Sequence, residues 1–229
     1  MKNVSHLAIA TSLFADPTRA KMLQTLLDAR FHTVSELAMS AGVTPQTASY
    51  HLAKMLELNI VQVKKYGRHR YYQFISKDMV PIIESLLCIA PEEKINSLKQ
   101  FDQNQAIRYA RTCYDHLAGK LGVLLTDTLV ENNILQKNED NFILTQTGEK
   151  FLINFGINLQ SIRKKRRSFA RCCLDWSERR HHLAGALGQA ILEHLFNLKW
   201  IVRLSNTRAV KVTSLGIKEF KQVLSMDLE

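Results

Sequence analysis

The chain has 229 residues, 46% of them hydrophobic, four cysteines and a formal net charge of +10. That length suits two domains with ordinary cores, and no run of about eighteen apolar residues offers a membrane span. Met1–Ala15 lacks the apolar run and cleavage-like end of a secretion signal, and four cysteines outside any secreted-type pattern suit a reducing cytoplasm. The positive charge favours polyanionic partners without separating DNA from RNA or a membrane surface. Of that charge, +4 falls in residues 1–91 and +6 in residues 92–229.

Residues 33–74 carry the densest information. A short helix bearing Leu37 and Ala38 breaks at Gly42, and Thr44 can cap a second helix whose first position is Pro45. Ala48, Leu52, Met55 and Leu56 recur at helical spacing and form the buried stripe of that helix. Its opposite face offers Gln46, Thr47, Ser49, Tyr50 and Lys54, a hydrogen-bonding surface suited to base edges in a major groove. Next, Val61 and Val63 alternate with polar residues, Gly67 supplies a turn, and Tyr71, Tyr72 and Phe74 form the return strand of a hairpin. Lys64, Lys65, Arg68, His69 and Arg70 crowd its tip, where DNA phosphate is the natural counterpart and plain solvation the alternative. A helix-turn-helix followed by a basic hairpin predicts sequence-specific binding of double-stranded DNA.

Three stretches together resemble the ArsR/SmtB-type winged-helix repressors: Ala15–Leu23, the Thr44–Met55 helix with Ser49-Tyr50-His51-Leu52, and the Lys65–Tyr72 wing. The resemblance covers about residues 5–90. It implies a cytoplasmic bacterial homodimer that leaves its operator when an effector binds. It also places Gln46, Thr47, Ser49, Tyr50 and His51 on the recognition helix and Lys64–Arg70 in the wing. Met79–Ala90, with Ile82, Ile83, Leu86 and Leu87, would be the dimer helix. Metal-sensing members of the family often carry paired cysteines on the helix before the recognition helix, where this chain has Ser35–Ser40 and no thiol. The dimer helix offers Cys88, which reads as a small buried hydrophobe rather than a sensor.

Ala90-Pro91-Glu92-Glu93 marks the start of a polar linker, helical in part, over residues 92–105. Beyond it an internal repeat sets Ala110–Gly122 against Ala170–Asp175 plus His182–Gly188, with Trp176–His181 inserted in the second copy. Each copy continues as a helix (Val123–Asn133; Gln189–Asn197), a hairpin, a capping threonine, a glycine in the first turn and a closing helix. The expected architecture is therefore mainly α with small β-hairpins (α+β). A winged helix-turn-helix and dimerisation domain (1–91) precedes a linker helix (92–105). A duplicated domain (106–229, copies about 106–160 and 166–226) follows as an effector or oligomerisation module.

The repeat register matches Cys113 with Cys173, Asp115 with Asp175 and His116 with His182. Two cysteines and two histidines are the donor set of a tetrahedral metal site, and a helix would place Cys113 and His116 on one face. Matched residues can equally mark shared packing, with Cys as a small hydrophobe, Asp as a helix cap and His bonded to backbone; an organic-ligand pocket is a further alternative. Cys172-Cys173, as helix neighbours, would point apart, and a vicinal disulfide is strained. Arg163–Arg167 with Arg171 reads as a solvated helix face or a second phosphate contact, and Trp176 as a pocket wall or a loop anchor. No glycine-rich phosphate loop, nucleophile elbow or HExxH motif marks an enzyme. The expected function is an effector-released repressor in the cytoplasm, without membrane association. The alternatives are a thiol- or metal-responsive sensor using Cys113, His116, Cys173 and His182, and an architectural DNA-binding protein.

Overall fold

A computed structural model describes residues 5–91, 97–205 and 207–228. It divides into two compact units, one ending at Ile83 and one beginning at Glu84. The division lies before the expected boundary at 91, and Glu84, the first residue of the second unit, accepts a 2.7 Å hydrogen bond from Arg208 of the same unit.

The first unit opens with α1 (His6–Ser12) and α2 (Pro17–Leu26). Asp16 caps α2, its carboxylate accepting from Arg19 N–H at 2.9 Å ahead of Pro17 at the first helical position. A short strand β1 (His32–Thr33) leads into α3 (Val34–Ala41), whose start is a reciprocal capping box of Thr33 and Glu36. Gly42, at φ 70°, ends α3 in the left-handed conformation that glycine adopts without strain. Helix α4 (Pro45–Glu57) follows, capped by Thr44, and then β2 (Val61–Tyr66) and β3 (His69–Phe74). The strands form one antiparallel sheet in the order β1-β3-β2. Met22, Leu23, Leu26, Leu37, Ala48, Leu52, Met55 and Phe74 are buried and make the core.

Helix α5 (Met79–Ile89) contains the division. Val80, Ile83 and Glu84 are buried, while Ile82, Leu86 and Ile89 are exposed at 49%, 39% and 81%. Positions 82, 86 and 89 lie on one helical face.

In the second unit, α6 (Leu98–Tyr109) is followed by the hairpin β4 (Arg111–Cys113) and β5 (His116–Ala118). Residues 92–96 of the expected linker lie outside the described residues. Helix α7 (Gly119–Glu131), hairpin β6 (Leu135–Asn138) and β7 (Asn141–Leu144), α8 (Gln146–Asn154) and the short α9 (Leu159–Arg163) come next. The hairpin–helix–hairpin–helix order then recurs as β8 (Arg171–Leu174), β9 (His181–Ala184), α10 (Gly185–Asn197), β10 (Ile201–Arg203), β11 (Val210–Val212) and α11 (Ser214–Leu224).

Each half lends its later hairpin to the other half's earlier one. Phe142 N–H donates to Ala170 O, and Cys172 N–H to Asp140 O; likewise Val210 N–H donates to Ala110 O, and Thr112 N–H to Arg208 O. The matched threonines Thr145 and Thr213 cap α8 and α11, accepting from Gly148 and Gly216 N–H at 2.9 Å in both cases. Gly119 and Gly185 enter α7 and α10 at φ 79° and 85°, and a Cβ on either would sit within 2.8 Å of a carbonyl oxygen. Between the halves lies an apolar core that includes Leu121, Leu125, Leu187, Ile191, Trp200 and Phe220.

Candidate nucleic-acid interface and a buried cysteine–histidine cluster

Three elements of the first unit position the expected DNA-contacting residues. Gly42 turns the chain between α3 and α4, and Leu52 and Met55, fully buried, fix which face of α4 is inward. The outward face presents Thr44, Gln46, Thr47, Ser49 and Tyr50, with Tyr50 58% exposed. Some of these groups are already committed. Thr44 Oγ1 accepts from Thr47 N–H at 3.2 Å, and Ser49 Oγ donates to Pro45 O at 2.8 Å. Lys54 lies with Nζ 4.5 Å from the Tyr50 ring centroid. Gln46 and Tyr50 are the long polar side chains left exposed on this face.

His51 departs from the expectation. It is turned inward at 7% exposure, with Nδ1 3.7 Å from Asp16 Oδ1 and 3.4 Å from Arg19 Nη1. It pins α4 to the start of α2 instead of facing a groove. The Arg19 N–H, foremost, holds the Asp16 carboxyl below its ordinary value.

The wing is the β2–β3 hairpin, with Lys65 paired to Arg70 and Tyr66 to His69 across a two-residue loop. Gly67 opens that loop at φ 57°, which a glycine tolerates and most residues do not. Lys64, Lys65, Arg68, His69 and Arg70 are all exposed. Lys64, Lys65, Arg68 and Arg70 thus put four positive charges on the exposed end of this hairpin.

In the second unit, Cys113 and His116 are not on a helix. They pair across the β4–β5 hairpin, just as Cys173 and His182 pair across β8–β9. Cys172 and Cys173 are strand neighbours, so they face opposite sides: Cys173 is buried and Cys172 half-buried. The two hairpins bring Cys113, His116, Cys173 and His182 together, with one donor atom of each lying within 4.8 Å of the others. The imidazoles stack with centroids 5.0 Å apart, and their Nε2 atoms are 3.1 Å apart.

A carboxylate stands behind each ring. Asp115 Oδ1 is 3.4 Å from His116 Nδ1, and Asp175 Oδ2 is 3.4 Å from His182 Nδ1. Arg167 donates to Asp115; Arg111 donates to Asp175 at 2.9 Å, and Gly119 N–H at 2.7 Å. Burial pushes the Asp115 carboxyl up, but His116 and Arg167 more than reverse this and bring it down to about 2. Asp175 is likewise held well below the carboxylate range, burial being outweighed by Arg111, His182 and the Gly119 N–H. A hydrogen bond with Cys173, then burial, pushes the Cys113 thiol well up. For His116, burial is outweighed by Cys113 and Asp115, raising it to about 9. Burial and the His116 charge drive His182 well down.

Comparison with known proteins bears on the first unit and on the chain as a whole. A helix-turn-helix domain model matches residues 14–64, a span that contains α4 and the start of the wing. An uncharacterized HTH-type transcriptional regulator of Bacillus subtilis (strain 168), YdfF, is 47% identical over 223 residues, covering 97% of this chain and 99% of that protein. The chain belongs to the HTH-type transcriptional regulators. Among solved structures, NolR from Sinorhizobium fredii is 26% identical over 38% of the regulator and 93% of its own chain, with a TM-score of 0.33. The homodimeric winged helix-turn-helix domain Mb0332 from Mycobacterium bovis is 21% identical over 38% and 86%, with a TM-score of 0.32.

Several residues of the regulator escaped the sequence reading. Arg111, fully buried, bonds Asp175 and lies with Cζ 4.6 Å from the Trp176 ring centroid, so Trp176 anchors its loop. Glu84 is buried on α5 against Arg208. A lone carboxylate within an otherwise apolar helix was the available signal for it. Of the basic run, Arg163 ends α9 and pairs with Glu149, and residues 164–167 are outside any helix. The run is therefore not a helical face, and Arg167 is spent on Asp115.

Proposed function

We propose that the regulator is a homodimeric repressor that reads a palindromic operator with α4, grips the flanking phosphates with its wing, and leaves the DNA when an effector engages the second unit. The observation that carries the DNA-reading part is the pairing of an outward polar face on α4, led by Gln46 and Tyr50, with a wing bearing five exposed basic groups. Dimerisation draws support from α5, where Ile82, Leu86 and Ile89 form one exposed apolar face. Release by an effector rests on the family resemblance and on a second unit larger than the DNA-reading one. The cytoplasm is where its DNA would lie, and four free cysteines suit that compartment. No helix among the described residues is long and apolar enough to cross a membrane.

Selecting binding sites for the full chain from random duplex DNA tests this reading. A repressor of this kind recovers an inverted repeat whose half-sites lie about one helical turn apart, about 34–36 Å. Recovery of unrelated sequences, with affinity tracking salt alone, would favour an architectural DNA binder instead.

A further inference from the structure

We infer that Cys113, His116, Cys173 and His182 bind one divalent ion of the zinc class, which clamps hairpin β4–β5 to hairpin β8–β9. This assignment stands independently of how the regulator reads DNA.

Four features of the geometry carry it. First, the four donor atoms lie within 4.8 Å of one another. A tetrahedral zinc site with bonds of about 2.0–2.3 Å sets its donors about 3.3–3.8 Å apart, so small side-chain rotations complete the shell. Second, both rings turn Nε2 to the centre and Nδ1 toward a carboxylate at the same 3.4 Å. A carboxylate behind each ligating imidazole fixes the tautomer that leaves the Nε2 lone pair for the ion. His182 Nδ1 is buried and makes no hydrogen bond among the described residues. An ion on Nε2 puts the ring's proton on Nδ1, facing Asp175.

Third, the charges balance. Two thiolates cancel a divalent ion, and such a neutral core is compatible with four residues that are each at most 8% exposed. Arg167 and Arg111 answer the two outer carboxylates. Fourth, the donor set is selective. Two sulfurs and two imidazoles suit zinc-like ions, whereas magnesium and calcium prefer oxygen. Buried packing alone accounts for Cys113 and Cys173, but not for two imidazoles aimed at each other with matched carboxylates behind them. Four protein donors leave no open coordination position, so the ion acts as a clamp rather than a catalyst.

The test uses the reduced full-length chain, reconstituted with Zn(II) and separately with Co(II). The expected result is one equivalent of metal by elemental analysis. Co(II) should give tetrahedral d–d absorption and a thiolate-to-cobalt charge-transfer band, and chelation should lower the Tm. A Cys113→Ser/Cys173→Ser variant should lose the charge-transfer band, whereas Cys172→Ser, altering the opposite face of the same strand, should keep it. Asp115→Asn should weaken Zn(II) affinity about 10–100-fold while retaining the cobalt spectrum. Absence of a bound ion and of any charge-transfer band in the wild-type chain would overturn the assignment. So would loss of the band in Cys172→Ser, or recovery of the unreduced protein with Cys113 and Cys173 joined as a disulfide and no metal.

Discussion

The two units place their polar chemistry in opposite ways. In the first, the residues expected to act are on the outside: Gln46 and Tyr50 on α4, and the five basic groups of the wing. Their scaffold is apolar and ordinary. In the second, the chemistry is inside: Arg111, Asp175 and His182 are each fully buried, and Cys113 with them. An exposed site contributes little to stability and tolerates substitution without unfolding. A buried polar cluster is held together by its own partners, so its loss costs the fold.

That contrast can be broken most sharply at the Arg111–Asp175 pair. Asp175→Asn takes from the buried Arg111 guanidinium its nearer counter-charge, at 2.9 Å, and leaves the Glu84 carboxylate at 4.0 Å. Denaturant unfolding should register a loss of about 3–5 kcal/mol, partly recovered by Arg111→Met in the same chain. On the other side, Tyr50→Ala should change stability by under about 0.5 kcal/mol in the same assay. A large loss there would show that α4 spends Tyr50 on the fold.

Asp28 is the first unit's own exception, a buried carboxylate bonded by His32 at 2.9 Å and by Arg30 N–H at 2.9 Å. Burial pushes its carboxyl up, but these partners outweigh burial and hold it below its ordinary 3.8. Its contribution is therefore full above about pH 4 and is lost as pH falls through the depressed value. Asp28→Asn should cost about 1.5–3 kcal/mol at neutral pH, and wild type and variant should converge in acid. Divergence on acidification would contradict the sign. The smallest effects belong to the matched caps. Thr145→Ala and Thr213→Ala should each cost about 1 kcal/mol, similar to one another if the two halves of the second unit are held alike.

How much of this was legible follows the same division. The first unit announced itself through local signals: Thr44 before Pro45, Gly42 at the break, Gly67 in the wing, and a helical apolar stripe. His51 escaped because its partners, Asp16 and Arg19, are distant in sequence, and β1 because two residues show no periodicity. In the second unit the Cys-Asp-His register was visible, but its local structure was not. The β4–β5 turn puts Tyr114 at φ 57°, where a turn signal would be Gly or Asn, and strands of three residues are too short to alternate. Without the hairpins, Arg111 could not be placed beside Asp175, since they are 64 positions apart in the chain.

The most direct test of the central claim, that α4 reads bases while the wing holds phosphate, is a comparison of operator and random duplex binding across salt. Gln46→Ala and Tyr50→Ala should weaken operator binding by about 1–3 kcal/mol each and leave random DNA nearly unchanged. Lys65→Ala and Arg68→Ala should weaken both, each lowering the slope of log affinity against log salt by about 0.9. Equal losses on operator and random DNA for the α4 variants would contradict the assignment of α4 as the reading helix.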